Sequence, residues 1–141
     1  MSTAVQTSYG FGFPKGVAGG LFDLSAHDVT TRQAEGDGVA FGLGVVVGTN
    51  KGTDVKLPAT GATSDDFEGV VVHNSVMVEK DMDNNVSINS KRTVGCLHFG
   101  RIWVQTGAAA KPAYKEKVYL ITDGDEAGTV SYTHLTLPTI L

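Results

Sequence analysis

The sequence predicts an all-β domain, either a jelly-roll-like sandwich or a small barrel, with an extended N-terminal arm. Three observations lead there. About eight short β-branched and aromatic runs recur between turn signals spaced roughly 8 to 12 residues apart. Apolar residues nowhere keep the 3.6-residue period of a helix face over about three turns. Glycine supplies 18 of 141 residues, about 13% against ~7% on average, as expected of a chain built from tight turns.

The arm is residues 1–20. Tyr9-Gly10-Phe11-Gly12-Phe13-Pro14 alternates aromatic residues with glycine and closes on proline. Glycine has no side chain to bury, so this is a poor packed strand. Tyr9, Phe11 and Phe13 are therefore candidate docking residues, with folding back onto the domain's own core as the alternative. Residues 21–129 form a single β domain. Leu21 to Thr31 holds a short strand or one helical turn around Ser25-Ala26-His27-Asp28, and Gly36-Asp37-Gly38 is a turn. Val39 to Val47 is a strand, bulged at Gly42 or Gly44. Gly48 to Gly52 is a hairpin-like loop, Val55 to Leu57 a short strand, and Pro58 to Asp66 a polar loop.

Phe67-Glu68-Gly69-Val70-Val71-Val72-His73 is a strand entering a buried valine run. Ser75 to Glu79 is a further strand and Asp81 to Asn85 a turn. Val86 to Ile88 and Thr93 to Phe99 are strands, and Gly100 to Gln105 continues the sheet or turns its corner. Ala108 to Pro112 is a loop, and Lys117 to Thr122 is a strand ending in the Asp123-Gly124 turn. From Val130 to Thr139 the chain resembles the conceptual translation of a sequencing adapter. Residues 130–141 are therefore expected to be a non-native tail.

Net charge is −4, and only Lys91 and Arg92 are adjacent among eleven basic residues, which argues against a general nucleic-acid binder. A single cysteine, Cys96, excludes an intramolecular disulfide framework. The N-terminus lacks a charged and apolar leader, and the uncharged run Gly38 to Asn50 is too short to span a bilayer. The expectation is a protein made in the cytoplasm, without a membrane segment.

No motif carries chemistry. Asp81-Met82-Asp83-Asn84-Asn85 resembles the start of a calcium loop, but Val86 and Arg92 stand where glycine and glutamate are needed. Cys96 and His98 could share one strand face, yet two ligands do not make a zinc site. In Gly42-Leu43-Gly44-Val45-Val46-Val47-Gly48 the third glycine is misplaced for a dinucleotide fingerprint, and no helix follows. Asp65, Asp66 and Glu68 place three carboxylates near one loop, read as a solvated surface, not as a glycosidase pair. Arg101 and Trp103 lie two apart, so they could share a face and join a cation–π or interface contact, although Trp103 also suits a core anchor.

The order of these elements resembles the cement, or decoration, proteins of tailed-phage capsids. The matching features are the arm ending in Pro14-Lys15-Gly16-Val17-Ala18-Gly19, the Gly38 to Gly48 strand, and the Asp66-Phe67-Glu68-Gly69-Val70-Val71 step. They continue with Gly100-Arg101-Ile102-Trp103-Val104, Val118-Tyr119-Leu120-Ile121-Thr122-Asp123-Gly124 and Gly128-Thr129. Lys115-Glu116-Lys117 departs from the pattern, as does the tail in place of the usual closing strands. The resemblance implies a non-enzymatic structural protein, without cofactor or metal, on the outer surface of a virion capsid. Its implied partners are the phage major capsid protein and further copies of itself, as dimer or trimer, with no nucleic acid and no membrane. Candidate contact residues are Tyr9, Phe11, Phe13, Lys15, Arg101 and Trp103. Two other readings are a phage accessory module that binds host-surface glycans through Trp103 and Tyr114, and an enzyme in which His27, His73 or His98 meets a carboxylate in a pocket.

Overall fold

A computed structural model describes residues 16–74, 79–80, 86–108, 111–131 and 139–140. Strands carry the architecture: β1 Asp28–Ala34, β2 Gly44–Val47, β3 Asp54–Lys56, β4 Phe67–Val71, β5 Glu79–Lys80, β6 Val86–Ser87, β7 Thr93–Phe99, β8 Tyr119–Leu120, β9 Val130–Ser131 and β10 Thr139–Ile140. The helical content among them is one 3-10 turn, Ser64–Asp66. No helix among the described residues is long and apolar enough to cross a membrane.

Five strands close into a barrel in the order β1-β3-β2-β4-β7. Of the architectures expected from sequence, the small barrel is the one seen. Closure removes the open edges that would expose unpaired backbone groups. The long antiparallel pair β1–β7 forms one wall, with Thr30 opposite Cys96 and Arg32 opposite Val94. A short parallel pairing of β1 with β3 completes the circle. Ala34, Val39, Phe41, Val45, Val55, Val71, Ile88, Val94 and Cys96 fill one buried cluster. Strand side chains alternate faces, so Val94 and Cys96 point inward from β7 and His98 continues the same row.

A small sheet, β10-β8-β9, flanks the barrel. It joins through Gly44 N–H, which donates to Gly128 C=O at 2.8 Å, and through the Leu120 side chain, which packs over Gly44. Val130 and Ser131 of β9 are buried. They belong to the segment that resembles an adapter translation, so a strand stands at that position. A two-stranded ribbon pairs β5 with β6.

Several strand expectations shift. Val39 to Val47 is not one strand: Val39 makes a lone bridge to Ile88, a turn follows at Phe41-Gly42, and the regular ladder begins at Gly44. Gly42 has φ of 77°, and a β-carbon there would lie 2.8 Å from the Gly19 backbone nitrogen. Leu21 to Thr31 contains no helical turn; β1 starts at Asp28. Residues 75–78 and 81–85, which include most of one expected strand and the calcium-like turn, lie outside the described residues.

Candidate protein-contact corner

The described chain begins at a corner where residues 16–22 run antiparallel to residues 101–103. Gly19 N–H donates to Trp103 C=O at 2.7 Å, Trp103 N–H to Gly20 C=O at 2.9 Å, and Phe22 N–H to Arg101 C=O at 2.9 Å. Leu21 and Ile102 form the bridge between them. Gly19 also accepts from His73 N–H at 2.8 Å, which ties the ribbon to the end of β4. Residues 101–103 therefore do not extend β7. They turn away and pair with residues 19–22.

Trp103 is half-buried at this corner. Its ring packs against Gly16 on one side and meets Phe22 with centroids 5.8 Å apart, tilted by 51°. It is both an anchor and part of the surface. Arg101 is largely exposed, and its Nη1 lies 3.1 Å from Asp23 Oδ2. Asp23 also accepts from the Ser25 hydroxyl and N–H. These Ser25 bonds, with Arg101 as a smaller contributor, hold the Asp23 carboxyl below its ordinary pKa. Leu24 is 93% exposed and Phe99 67%, with Val17 and Phe22 also open to solvent. An open cleft lined by Ser25, Ala26, His98, Phe99, Gly100 and Arg101 runs beside them. Thus the structure brings Arg101 and Trp103 together at an apolar, partly charged corner. Tyr9, Phe11, Phe13 and Lys15 lie outside the described residues.

Behind the cleft sits a polar staple that the sequence reading missed. In the β2–β4 pairing, Val45 faces Gly69 while Val46 faces Phe67, so Glu68 is the extra residue of a bulge. The bulge aims its carboxylate at Arg32: Nε lies 2.8 Å and Nη2 2.7 Å from Oε1. His98 Nε2 is 3.8 Å from the same oxygen and 2.5 Å from Thr30 Oγ1. His98 does meet a carboxylate, but that carboxylate is already held by Arg32 and the imidazole nitrogen by Thr30. The group ties β1, β4 and β7 together at the end of the inward-facing row.

The remaining candidates disperse. Asp66 accepts from Thr63 N–H at 2.9 Å and Thr63 Oγ at 3.0 Å, Asp65 is exposed, and Glu68 faces Arg32, so the three carboxylates serve separate ends. His73 meets Phe41 with ring centroids 4.8 Å apart, tilted by 58°, and exposed His27 donates to Ser25 C=O at 2.9 Å. Cys96 is buried, and desolvation, with Glu68 adding to it, pushes its thiol up to about 12. No group of three or more His, Cys, Asp or Glu side chains among the described residues is arranged to hold a metal ion.

Residues 5–139 match the family model of the structural cement protein (E217 gp24/Pam3 gp6). Among solved structures, the chain is similar to one from the capsid of Myoviridae phage XM1, with a TM-score of 0.66 and 20% identity, covering 99% of this chain and 85% of that one. At that identity the likeness is one of fold. No curated protein matches the sequence.

Proposed function

We propose, because the chain belongs to the phage structural cement protein family, that it binds the outside of an assembled head and bridges neighbouring major capsid subunits. The family match over residues 5–139 carries this reading. It supplies a structural role in the capsid; the outer surface and the bridging are the finer steps. A protein that binds the assembled lattice but not free subunits stabilises that lattice by mass action. Simultaneous contact with several subunits raises apparent affinity through effective concentration.

The contact set is the arm residues Tyr9, Phe11, Phe13 and Lys15 together with Arg101 and Trp103. The ribbon that pairs residues 16–22 with 101–103 supports this grouping, since it makes the arm's base and the two domain residues neighbours. Exposed Leu24 and Phe99 widen the same apolar surface. The protein acts without chemistry of its own, as a homo-oligomer on the capsid, and contacts neither nucleic acid nor membrane.

Co-sedimentation with expanded shells of the major capsid protein from the same genome tests the reading. Saturable binding to shells and not to free subunits is expected, with strong loss on deletion of residues 1–16. Equal binding of the deleted protein would remove the arm from the contact set. Absence of binding to a competent lattice would end the cement reading.

A further inference from the structure

A second surface lies at the turn that leads into β8. Lys111, Lys115 and Lys117 place three of the eleven basic residues within Lys111-Pro112-Ala113-Tyr114-Lys115-Glu116-Lys117, in a chain whose net charge is −4. The turn is closed on itself: Ala113 N–H donates to Glu116 Oε2 at 2.7 Å, and Glu116 N–H donates to Ala113 C=O at 3.1 Å. Its one carboxylate is thus engaged within the turn, and the lysines supply the outward charge. Among the described residues none of the three lysines forms an ion pair.

The same closure presents an aromatic ring. Tyr114 is 91% exposed, and Lys115 Nζ sits 5.5 Å from its centroid. Lys115 holds φ of 64°, a left-handed conformation that is strained for any residue with a β-carbon and that persists only where its surroundings enforce it. An exposed tyrosine is the aromatic part of an interface anchor, and the three lysines of the same turn add positive charge beside it.

We propose that the Lys111–Lys117 turn docks on a carboxylate-rich protein surface, with Tyr114 seated against it and the three lysines facing its acids. The inference rests on the capsid reading only for the identity of that surface, which would be an assembled shell subunit. Lysine is a compact point charge without arginine's fork, so the contact is steered by charge and is sensitive to salt.

The test measures binding of the full chain to assembled shells across ionic strength, using Lys111→Glu/Lys117→Glu, Lys111→Arg/Lys117→Arg, Tyr114→Ser and, as a charge control elsewhere, Lys51→Glu. All positions are exposed, and unchanged melting curves confirm that each variant folds. The double glutamate variant should bind about tenfold more weakly at ~0.05 M salt, with the gap closing near ~0.5 M. The arginine variant and Lys51→Glu should behave as wild type, and Tyr114→Ser should weaken binding at every salt concentration. Equal binding of wild type and the double glutamate variant would overturn the proposal. So would loss with Tyr114→Ser alone, which assigns the turn to an uncharged ligand such as a glycan. If wild type itself fails to bind shells, the capsid reading falls separately. The turn is then judged on immobilised polyglutamate, where equal retention of wild type and the double glutamate variant rejects it.

Discussion

Gly16 lies flush against the indole of Trp103: a β-carbon built at Gly16 would fall 2.5 Å from Cε2 of the ring. Gly16 thus leaves no room for a side chain beside the chain's one tryptophan. Gly16→Ala must push the ring or the chain aside, at a cost of about 1–3 kcal/mol for overpacking. The expected outcome is a lower melting temperature and a red-shifted Trp103 emission, because the displaced indole meets more water. An unchanged emission spectrum would show that the two residues do not touch in solution.

Arg32 and Glu68 join β1 to the bulge of β4 at 2.7 Å, with side chains only 20% and 14% exposed. Removing one partner strands the other in a partly desolvated site. Glu68→Ala should cost about 1–3 kcal/mol, and Arg32→Met a similar amount. The double variant should cost less than the two singles added together, because no charge is left unpaired. Additive losses in a denaturant-based double-mutant cycle would show that the pair is not coupled.

How much of this was legible varies with sequence separation. Thr93 to Phe99 was readable in full, because it is a run of β-branched and apolar residues closed by Gly100, with Val94 and Cys96 two apart and both buried. The break at Phe41-Gly42 was not, because what excludes a side chain at Gly42 is Gly19, which approaches from a distant part of the chain. Arg101 and Trp103, two apart, could share one strand face, but their pairing partner, residues 19–22, lies far away in sequence where no local pattern names it. The Arg32–Glu68 pair spans 36 residues, and no local pattern marks either side chain. A glutamate beside a glycine within an apolar strand was the available hint of a bulge.

Cys96 is fully enclosed between β1 and β4, and its thiol is pushed up to about 12, with burial as the main cause. The neutral thiol is a poor nucleophile. In the native protein it should resist a disulfide exchange reagent at about pH 8 and react fully once unfolded in denaturant. Rapid labelling of the native protein would contradict the enclosed position.

Glu35 is the carboxylate with a testable pH signature. Thr49 N–H reaches its Oε2 at 2.6 Å and Thr49 Oγ1 its Oε1 at 2.7 Å. These bonds, the backbone one foremost, lower its pKa in the folded state, and Lys56 adds to the effect. A carboxyl whose folded pKa lies below its unfolded one binds fewer protons when folded. Its stabilising contribution is therefore complete above the ordinary glutamate range and is lost as the pH falls through the folded value. Glu35→Gln should melt below wild type at about pH 7, and the two curves should converge as the pH falls below the folded pKa of Glu35, where both side chains are neutral. A gap that stays constant with pH would mean that the Thr49 bonds do not depend on the charge.

Val130 is the first residue of the segment that resembles an adapter translation, yet it is 2% exposed. Its N–H donates to Gln105 C=O at 2.9 Å, its C=O accepts from Gly107 N–H at 3.0 Å, and it pairs with Leu120 across the β8–β9 ladder. The site demands an apolar residue on a strand whatever the origin of the letters that follow it. Val130→Ala should cost about 1–3 kcal/mol through lost burial and the space left behind. Ending the chain after Thr129 should cost more, since it also strips the partners from Gln105 and Gly107 and uncovers Leu120. A truncated protein that melts with the full chain would instead show that β9 contributes nothing.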